Sequence, residues 1–581
     1  MSRTSRVACW LASVTLGSTV IASPVAAQQG DSTADARLRA LYTREWTWRQ
    51  RELGRGDGPR ENGGTNQFPH VDAATQDARL AYWTRALATL DSIPLQQLSA
   101  EEKINAEVFR FSVRALADDV RFRTYEAPFN SDSFFWTEFT PRQGFATADA
   151  YRRYLARLRD VPRYFDEQIV NMRAGLARGY SVPRVSVVGR DKTIEPYTKA
   201  DTTNPLYAPF KDMPRGMPAA EQAALRADGL AALREAAVPA FSKLLTFIRN
   251  EYLVKARTTL AATSMPNGQE FYKAQIEKYT TLDLTAQQIH DIGLKEVARI
   301  DSEMVATMRR SGFKGTMPQF FRFLRTDPQF YAKTPRELLS YSAYVMKKAD
   351  YKLKETIGTL PRYRHGLLPV PAAIAPIYTG GRGGLDACLM NTYNLPARTL
   401  YTIPALTLHE CTPGHSFQAA LALEGPDRPE FRRSTYFSGY GEGWGLYTEW
   451  LGTVMGIYET PYEDFGRLTY EMWRACRLVI DTGIHQFGWT REQAIDYLKT
   501  HAALSEHEIT TEVDRYISWP GQALAYKLGE IQIRRHRREA EEKLGAQFDQ
   551  RKFHDVILAL GSVPLPVLEA RMQQFIADGG R

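Results

Sequence analysis

The chain of 581 residues carries 74 Lys and Arg against 66 Asp and Glu, a net charge of +8, with 44% hydrophobic and 24% charged residues. These proportions belong to a folded globular protein and exclude a disordered chain, which lacks the apolar surface to offset the entropy of ordering. The basic excess is small for this length and runs together only in IRRHRR at 533–538, too little for a nucleic-acid footprint.

The first 27 residues read as a signal peptide. Arg3 and Arg6 precede the apolar run ACWLASVTLGSTVIAS, and Val25-Ala26-Ala27 place small residues at a cleavage site. Cys9 precedes most of the apolar run, unlike a lipid-attachment cysteine. Beyond this segment no stretch approaches the ~20 apolar residues that span a bilayer. The expected location is therefore periplasmic or secreted, with no membrane anchor after cleavage. Three cysteines then remain, Cys388, Cys411 and Cys476, so at least one thiol is free and disulfides are not the main source of stability.

Residues 28–360 read as a helical N-terminal half, with apolar residues recurring at three and four. Ser99 with Glu102, Thr285 with Gln288, Thr334 with Glu337 and Thr460 with Glu463 have the spacing of capping boxes. The proline-rich stretch 181–218 predicts a surface excursion or lid. Residues 361–581 read as a catalytic half. Its opening, GLLPVPAAIAPIYTGGRGGLDACLMNTYNLP, predicts one or two short strands beside a site. The Gly-rich loop 380–384, with Asn391 and Tyr393, is expected to line a cleft and pair with an extended substrate backbone.

The segment LTLHECTPGHSFQ places His409, Glu410 and His415 within seven residues. Two imidazoles with a carboxylate beside the first suit a zinc site with a general base. Residues four apart on a helix share a face, but six apart lie about 240° round it, so the helix cannot be regular here. Pro413 and Gly414 supply the irregularity, and a bulge there is expected to return His415 toward His409.

Downstream, Glu442 and Glu449 are seven apart and share a helix face among Tyr440, Trp444, Leu446 and Trp450, and acids so surrounded are rarely unpaired. Glu442 is the expected third ligand and Glu449 an outer-shell partner. Arg474, Arg477, Asp481 and His485 then form a polar stripe on an apolar helix, read either as an internal salt-bridge ladder or as a face turned to the metal. On the second reading Asp481 orients a histidine and His485 stabilises an oxyanion. EVDRYISWPGQALAYKLG adds Arg515, Tyr516 and Tyr526, with either tyrosine a candidate oxyanion donor and Arg477 or Arg515 a candidate reader of a substrate carboxylate.

Together HECTPGH at 409–415, EGWGLYTE at 442–449, RLVIDTGIHQFGW at 477–489 and PGQALAYKLG at 520–529 resemble, in order, the recurrent motifs of the bacterial family known as domain of unknown function 885. The resemblance implies a mainly α, zincin-like peptidase fold with a central cleft and a small β element near the active site. It also implies His409, His415 and Glu442 as ligands of one zinc ion and Glu410 as catalytic acid and base. Ser416 departs from the family, whose members often carry another histidine there. The expected activity is hydrolysis of short peptides, of a carboxypeptidase or oligopeptidase kind. A hydrolase of other amides or esters, and a catalytically silent helical binding protein, are the alternative readings.

Overall fold

The computed structural model of the protein describes residues 33–54, 65–141, 144–372 and 375–581; the segment read as a signal peptide lies outside them. Regular structure is almost all helical. The N-terminal region contributes α1 (Thr33–Glu52), α2 (Ala73–Asp91), α3 (Ala100–Arg121) and α4 (Ala148–Ala177), followed by α5 (Gly268–Thr280), α6 (Ala286–Arg310), α7 (Met317–Thr326) and α8 (Pro335–Thr356).

All four expected caps form. Ser99, Thr285, Thr334 and Thr460 each accept a hydrogen bond from the backbone N–H three residues on. Only Gln288 closes the reciprocal bond. Glu337 and Glu463 instead accept from the N–H of Lys333 and Glu459, one residue before the cap.

Among the described residues the apolar interior divides into three large clusters. The first joins Leu38, Trp83 and Phe109 of α1–α3 to Leu353 of α8 and to Trp444, Ile557 and Phe575 far along the chain. Burial is therefore continuous across residue 360. The second cluster gathers Ile300, Phe320, Cys476, Ile480 and Tyr516. The third collects Trp136, Phe165 and Phe241 together with Val187, Ile194, Leu206 and Phe210. The last four belong to the proline-rich stretch, which is thus a packed scaffold of short helical turns and not the surface lid expected. Its prolines interrupt helices while its apolar side chains still find a core.

Past α8 the chain forms β1 (Gly366–Pro369), β2 (Gly381–Arg382) and β3 (Ala387–Met390), in the order β1-β3-β2. β1 runs parallel to β3, with Gly366 opposite Ala387, and β2 antiparallel to it, with Gly381 opposite Met390. β2 is thus an edge. Six helices complete the chain's central machinery: α9 (Ile403–Glu410), α10 (His415–Glu424), α11 (Ser438–Val454), α12 (Pro461–His485), α13 (Glu506–Ser518) and α14 (Ala525–Leu544). α11 and α14 meet at glycines: a Cβ on Gly443 would lie 2.6 Å from the Gly529 Cα. That contact explains two glycines in the EGWG and YKLG segments, since side chains there would drive the helices apart. No helix among the described residues is long and apolar enough to cross a membrane.

Candidate metal centre

The HECTPGH segment is not a bulged helix. α9 stops at Glu410, Cys411 leaves helical geometry (φ −100°, ψ −95°), and α10 begins at His415 after a cis Thr412-Pro413 bond. Pro413 has no N–H for a helix ladder. A Cβ on Gly414 would lie 1.8 Å from the His409 carbonyl oxygen, so the chain folds back over the end of α9 only because residue 414 is glycine. The result is the expected return of His415: the two imidazoles lie 4.8 Å apart between ring centres, at 84° to one another.

α11 closes the site from the other side. Trp444 Nε1 donates to the Pro413 carbonyl at 2.9 Å, and Thr448 Oγ1 donates to Leu408 O at 3.1 Å, fixing α11 against both the turn and α9. Gly445 lets the His409 ring approach; a Cβ there would sit 2.8 Å from it. Glu442 Oε2 is then 3.3 Å from His415 Nε2 and 3.5 Å from His409 Nε2. Two turns on, Glu449 Oε1 lies 2.7 Å from His409 Nδ1. A carboxylate only accepts, so Nδ1 carries the proton and Nε2 is the nitrogen presented to Glu442 and His415.

Donor atoms of His409, His415 and Glu442 all lie within 4.8 Å of one another. Ligands bound tetrahedrally at ~2.05 Å stand about 3.3 Å apart, so the donor set fits a zinc-sized ion with little rearrangement. The local field favours a cation as well. Burial pushes His409 down, but its bonds to Glu442 and Glu449 and the nearby Glu410 outweigh burial and lift it to about 10. Glu442 is opposed by burial yet held well below the ordinary carboxylate range by the two histidines.

Glu410 points to the sheet edge, where its Oε2 accepts the Gly383 N–H at 2.6 Å. Ser416 Oγ accepts the next amide, Gly384 N–H, at 3.0 Å. The Gly-rich loop is therefore pinned across the motif, and a Cβ on Gly383 would meet the Glu410 carbonyl at 2.3 Å. A disulfide joins Cys388 of β3 to Cys411, directly after Glu410, and leaves Cys476 as a buried free thiol.

Of the tyrosines named from the sequence, Tyr526 alone reaches the histidines, its ring stacked 6.5 Å from that of His409. Tyr516 is a ring further back. It is fully buried, and its hydroxyl accepts from Arg477 Nε and Trp473 Nε1 at 3.0 and 2.8 Å. Arg477 lies 4.3 Å over the Tyr526 ring and donates to Glu512 at 2.8 Å. Sealed at 2% exposure, it braces the two tyrosines instead of meeting a substrate carboxylate. Arg515 donates to Gln522 at 2.8 Å and to the Tyr526 hydroxyl at 3.4 Å.

Three other sequence assignments change. Both nitrogens of His485 are committed to backbone: Nδ1 accepts from Ala262 N–H at 3.1 Å, and Nε2 donates to Tyr516 O at 2.9 Å. Asp481 accepts from the Tyr272 hydroxyl at 2.6 Å and from Gly521 N–H, and orients no histidine. Of the polar stripe, Arg474 alone reaches the centre, 3.4 Å from Glu449; the other three side chains stitch α12 to the segments around it. Asn391 is buried and spends its amide on the carbonyls of Ala375, Tyr378 and Thr379, so it shapes the loop, while Tyr393 stands half exposed.

One residue of the centre was missed. The Tyr436 hydroxyl lies 3.5 Å from Glu442 Oε1, in space left by Gly441, where a Cβ would come within 2.3 Å of it. Nothing in the pattern separates it from the other 28 tyrosines, although a glycine directly before a ligand is a signal of close approach. A second group, His70, Asp72 and Glu167, also clusters within 4.8 Å. There Arg163 already supplies the cation, 2.7 Å from Glu167, and Asp72 caps α2.

The sequence profile of the family described as "Bacterial protein of unknown function (DUF885)" matches residues 50–572, and the chain belongs to that family. A solved structure described as a "putative lipoprotein" from Colwellia psychrerythraea is similar over 94% of this chain and 100% of its own, with a TM-score of 0.86 and 26% identity. Another, described as a "putative lipoprotein of unknown function" from Shewanella oneidensis, covers the same shares at a TM-score of 0.70 and 18% identity, and shares the fold. No curated protein matches the sequence.

Proposed function

We propose that the protein is an exported zinc-dependent hydrolase that cleaves short peptides. The observation that carries this reading is the convergence of His409, His415 and Glu442, with Glu410 alongside and Glu449 behind. A bound zinc ion would supply Lewis acidity that activates water near neutral pH.

The chain's own residues do the remaining work. Glu449 fixes the tautomer and orientation of His409. Glu410, held at one oxygen by the Gly383 amide, takes a proton from the attacking water and returns it to the leaving amine. The Tyr526 hydroxyl, held by Arg515, is a donor for a developing oxyanion. β2, two residues long and unpaired on its outer side in the observed strand order, offers backbone groups to an extended peptide as an added strand. Export rests on the N-terminal sequence pattern, on the disulfide at the site, which suits an oxidising compartment, and on the description of the Colwellia relative.

The test is Glu410→Gln in purified protein. It is expected to keep a stoichiometric metal and to lose about 10²–10⁴-fold in turnover of short peptides; loss of metal in a folded variant would make Glu410 a ligand. Chelation should abolish activity and zinc restore it. A panel of peptides against simple amides and esters assigns the substrate class.

A further inference from the structure

A cavity of about 210 Å³ is lined in part by elements that also carry the metal centre. Gly380, the residue before β2, forms part of its wall, as do Leu406 on α9, Tyr470 on α12 and the start of α13. No ligand of the proposed metal lines it.

Two arginines reach into this space, Arg325 from α7 and Arg398 from the loop before α9. Among the described residues the Arg325 side chain gives one hydrogen bond, Nη2 to Ala502 O at 3.0 Å, and its buried Nε has no partner. The buried Nε of Arg398 has none either. The acid nearest Arg398 is Glu508, 3.6 Å from Nη1 and beyond hydrogen-bond reach. Glu508 is itself engaged, accepting from the Ser505 hydroxyl at 2.9 Å in the capping box of α13. Glu506, at the same rim, pairs with Lys499 at 2.7 Å. Neither guanidinium thus has a carboxylate within hydrogen-bond distance among the described residues: Glu508 stands 3.6 Å from Arg398, and Glu506, whose charge reaches Arg325, is paired with Lys499. Burial, the largest influence on Arg325, holds it below the ordinary arginine range, as for a cation without full compensation.

Buried N–H groups without acceptors are costly to maintain. A planar carboxylate in the cavity suits two such arginines, since it accepts guanidinium N–H groups in parallel pairs. The rest of the wall includes the apolar side chains of Leu338, Ile403 and Leu406. The volume falls below the ~300 Å³ at which pockets for drug-sized ligands begin, which limits the occupant to about one residue. We propose that this cavity binds a carboxylate carried on a small apolar group, of the kind an aliphatic amino acid or a peptide C-terminus presents.

The probe is N-acetyl-leucine, with N-acetyl-leucinamide as its uncharged counterpart, titrated calorimetrically into the full-length protein. The acid is expected to bind at least tenfold more tightly than the amide. Arg398→Gln is expected to weaken the acid at least tenfold, and Arg398→Lys to restore part of the loss, with unfolding temperatures unchanged because the Arg398 side chain donates no hydrogen bond to the described residues and the backbone bond to Leu395 O stays. Glu410→Gln, outside the cavity, should bind the acid like wild type. Equal binding of acid and amide, or wild-type binding by Arg398→Gln, would overturn the proposal. A kinetic arm separates the two sources of the carboxylate, and it rests on the peptidase reading. If the pocket takes a substrate terminus, Arg398→Gln raises KM tenfold for free-acid peptides and leaves amidated peptides unchanged. If it takes a free amino acid, KM is unaltered while N-acetyl-leucine binding still falls. Because the calorimetry needs no turnover, its result stands apart from any failure of the peptidase reading.

Discussion

His409 and His485 are both buried, both lie in the last turn of a helix and both sit in motifs that look equally functional. Their neighbours differ. His409 faces the carboxylates of Glu449 and Glu442, which overcome burial and lift it to about 10. His485 bonds only backbone groups, and burial pushes it down to about 3. A buried imidazole between acids is an environment for a cation, whereas one between an amide and a carbonyl is a neutral crosslink. Motif rank did not separate them; the chemistry of the second partner does.

The sharpest way to break this contrast is to delete each ring. His409→Ala should lose stoichiometric metal and all measurable turnover, while His485→Ala should keep its metal and unfold more easily by roughly 2–5 kcal/mol, because the Ala262 amide and Tyr516 carbonyl lose their partner. Metal analysis beside denaturant unfolding reads both. Metal retained by His409→Ala would end the comparison.

Acid titration of stability sharpens it next. A neutral His485 with a pKa of about 3, against 6.5 unfolded, contributes stability that is full above 6.5 and lost as pH falls from there. Asp481, one turn earlier, is raised by burial from 3.8 to about 7, despite bonds from Tyr272 and Gly521 that oppose the shift. Its contribution is full below about 3.8 and lost as pH rises through 7. The two slopes oppose each other between pH 4 and 6.5. Asp481→Asn should therefore expose a loss of about 1.4 kcal/mol per pH unit on acidification, and His485→Gln a gain of the same size. Parallel slopes in both variants would show that neither group is held as described.

Smaller effects test the shell around His409. Glu449→Gln should weaken metal binding about 10–100-fold, with little change in fold. Arg474→Gln, one contact further out at 3.4 Å from Glu449, should cost less than about tenfold. Equilibrium competition with a metal-indicator dye measures both, and an effect of Arg474→Gln larger than that of Glu449→Gln would reverse the assigned order of shells.

The disulfide shows why some of the centre was illegible. Three cysteines predicted a free thiol, but the pairing of Cys388 with Cys411 depends on β3 lying against the turn after Glu410. Tyr436 was hidden because its place depends on the space left by Gly441 beside Glu442, and Arg474 could not be told from the rest of its stripe until Glu449 lay against it. Legible features were those with local causes: the helical spacing, the four N-caps, and the break at Pro413-Gly414 that any straight helix would have to suffer.

By itself the sequence determined the mainly helical class, the ordered motifs that carry family membership, and the grouping of His409, His415 and Glu442, because periodicity, capping and the proline-glycine break act within a few residues. Tertiary structure decided which polar residues of the later motifs face that group. Helix α12 is buried along nearly its whole length, so periodicity cannot say which of its neighbours each side chain meets. The approach of α11 to α12 brings Glu449 to Arg474, while the segments carrying Ala262, Tyr272, Tyr516 and Gly521 take up His485 and Asp481.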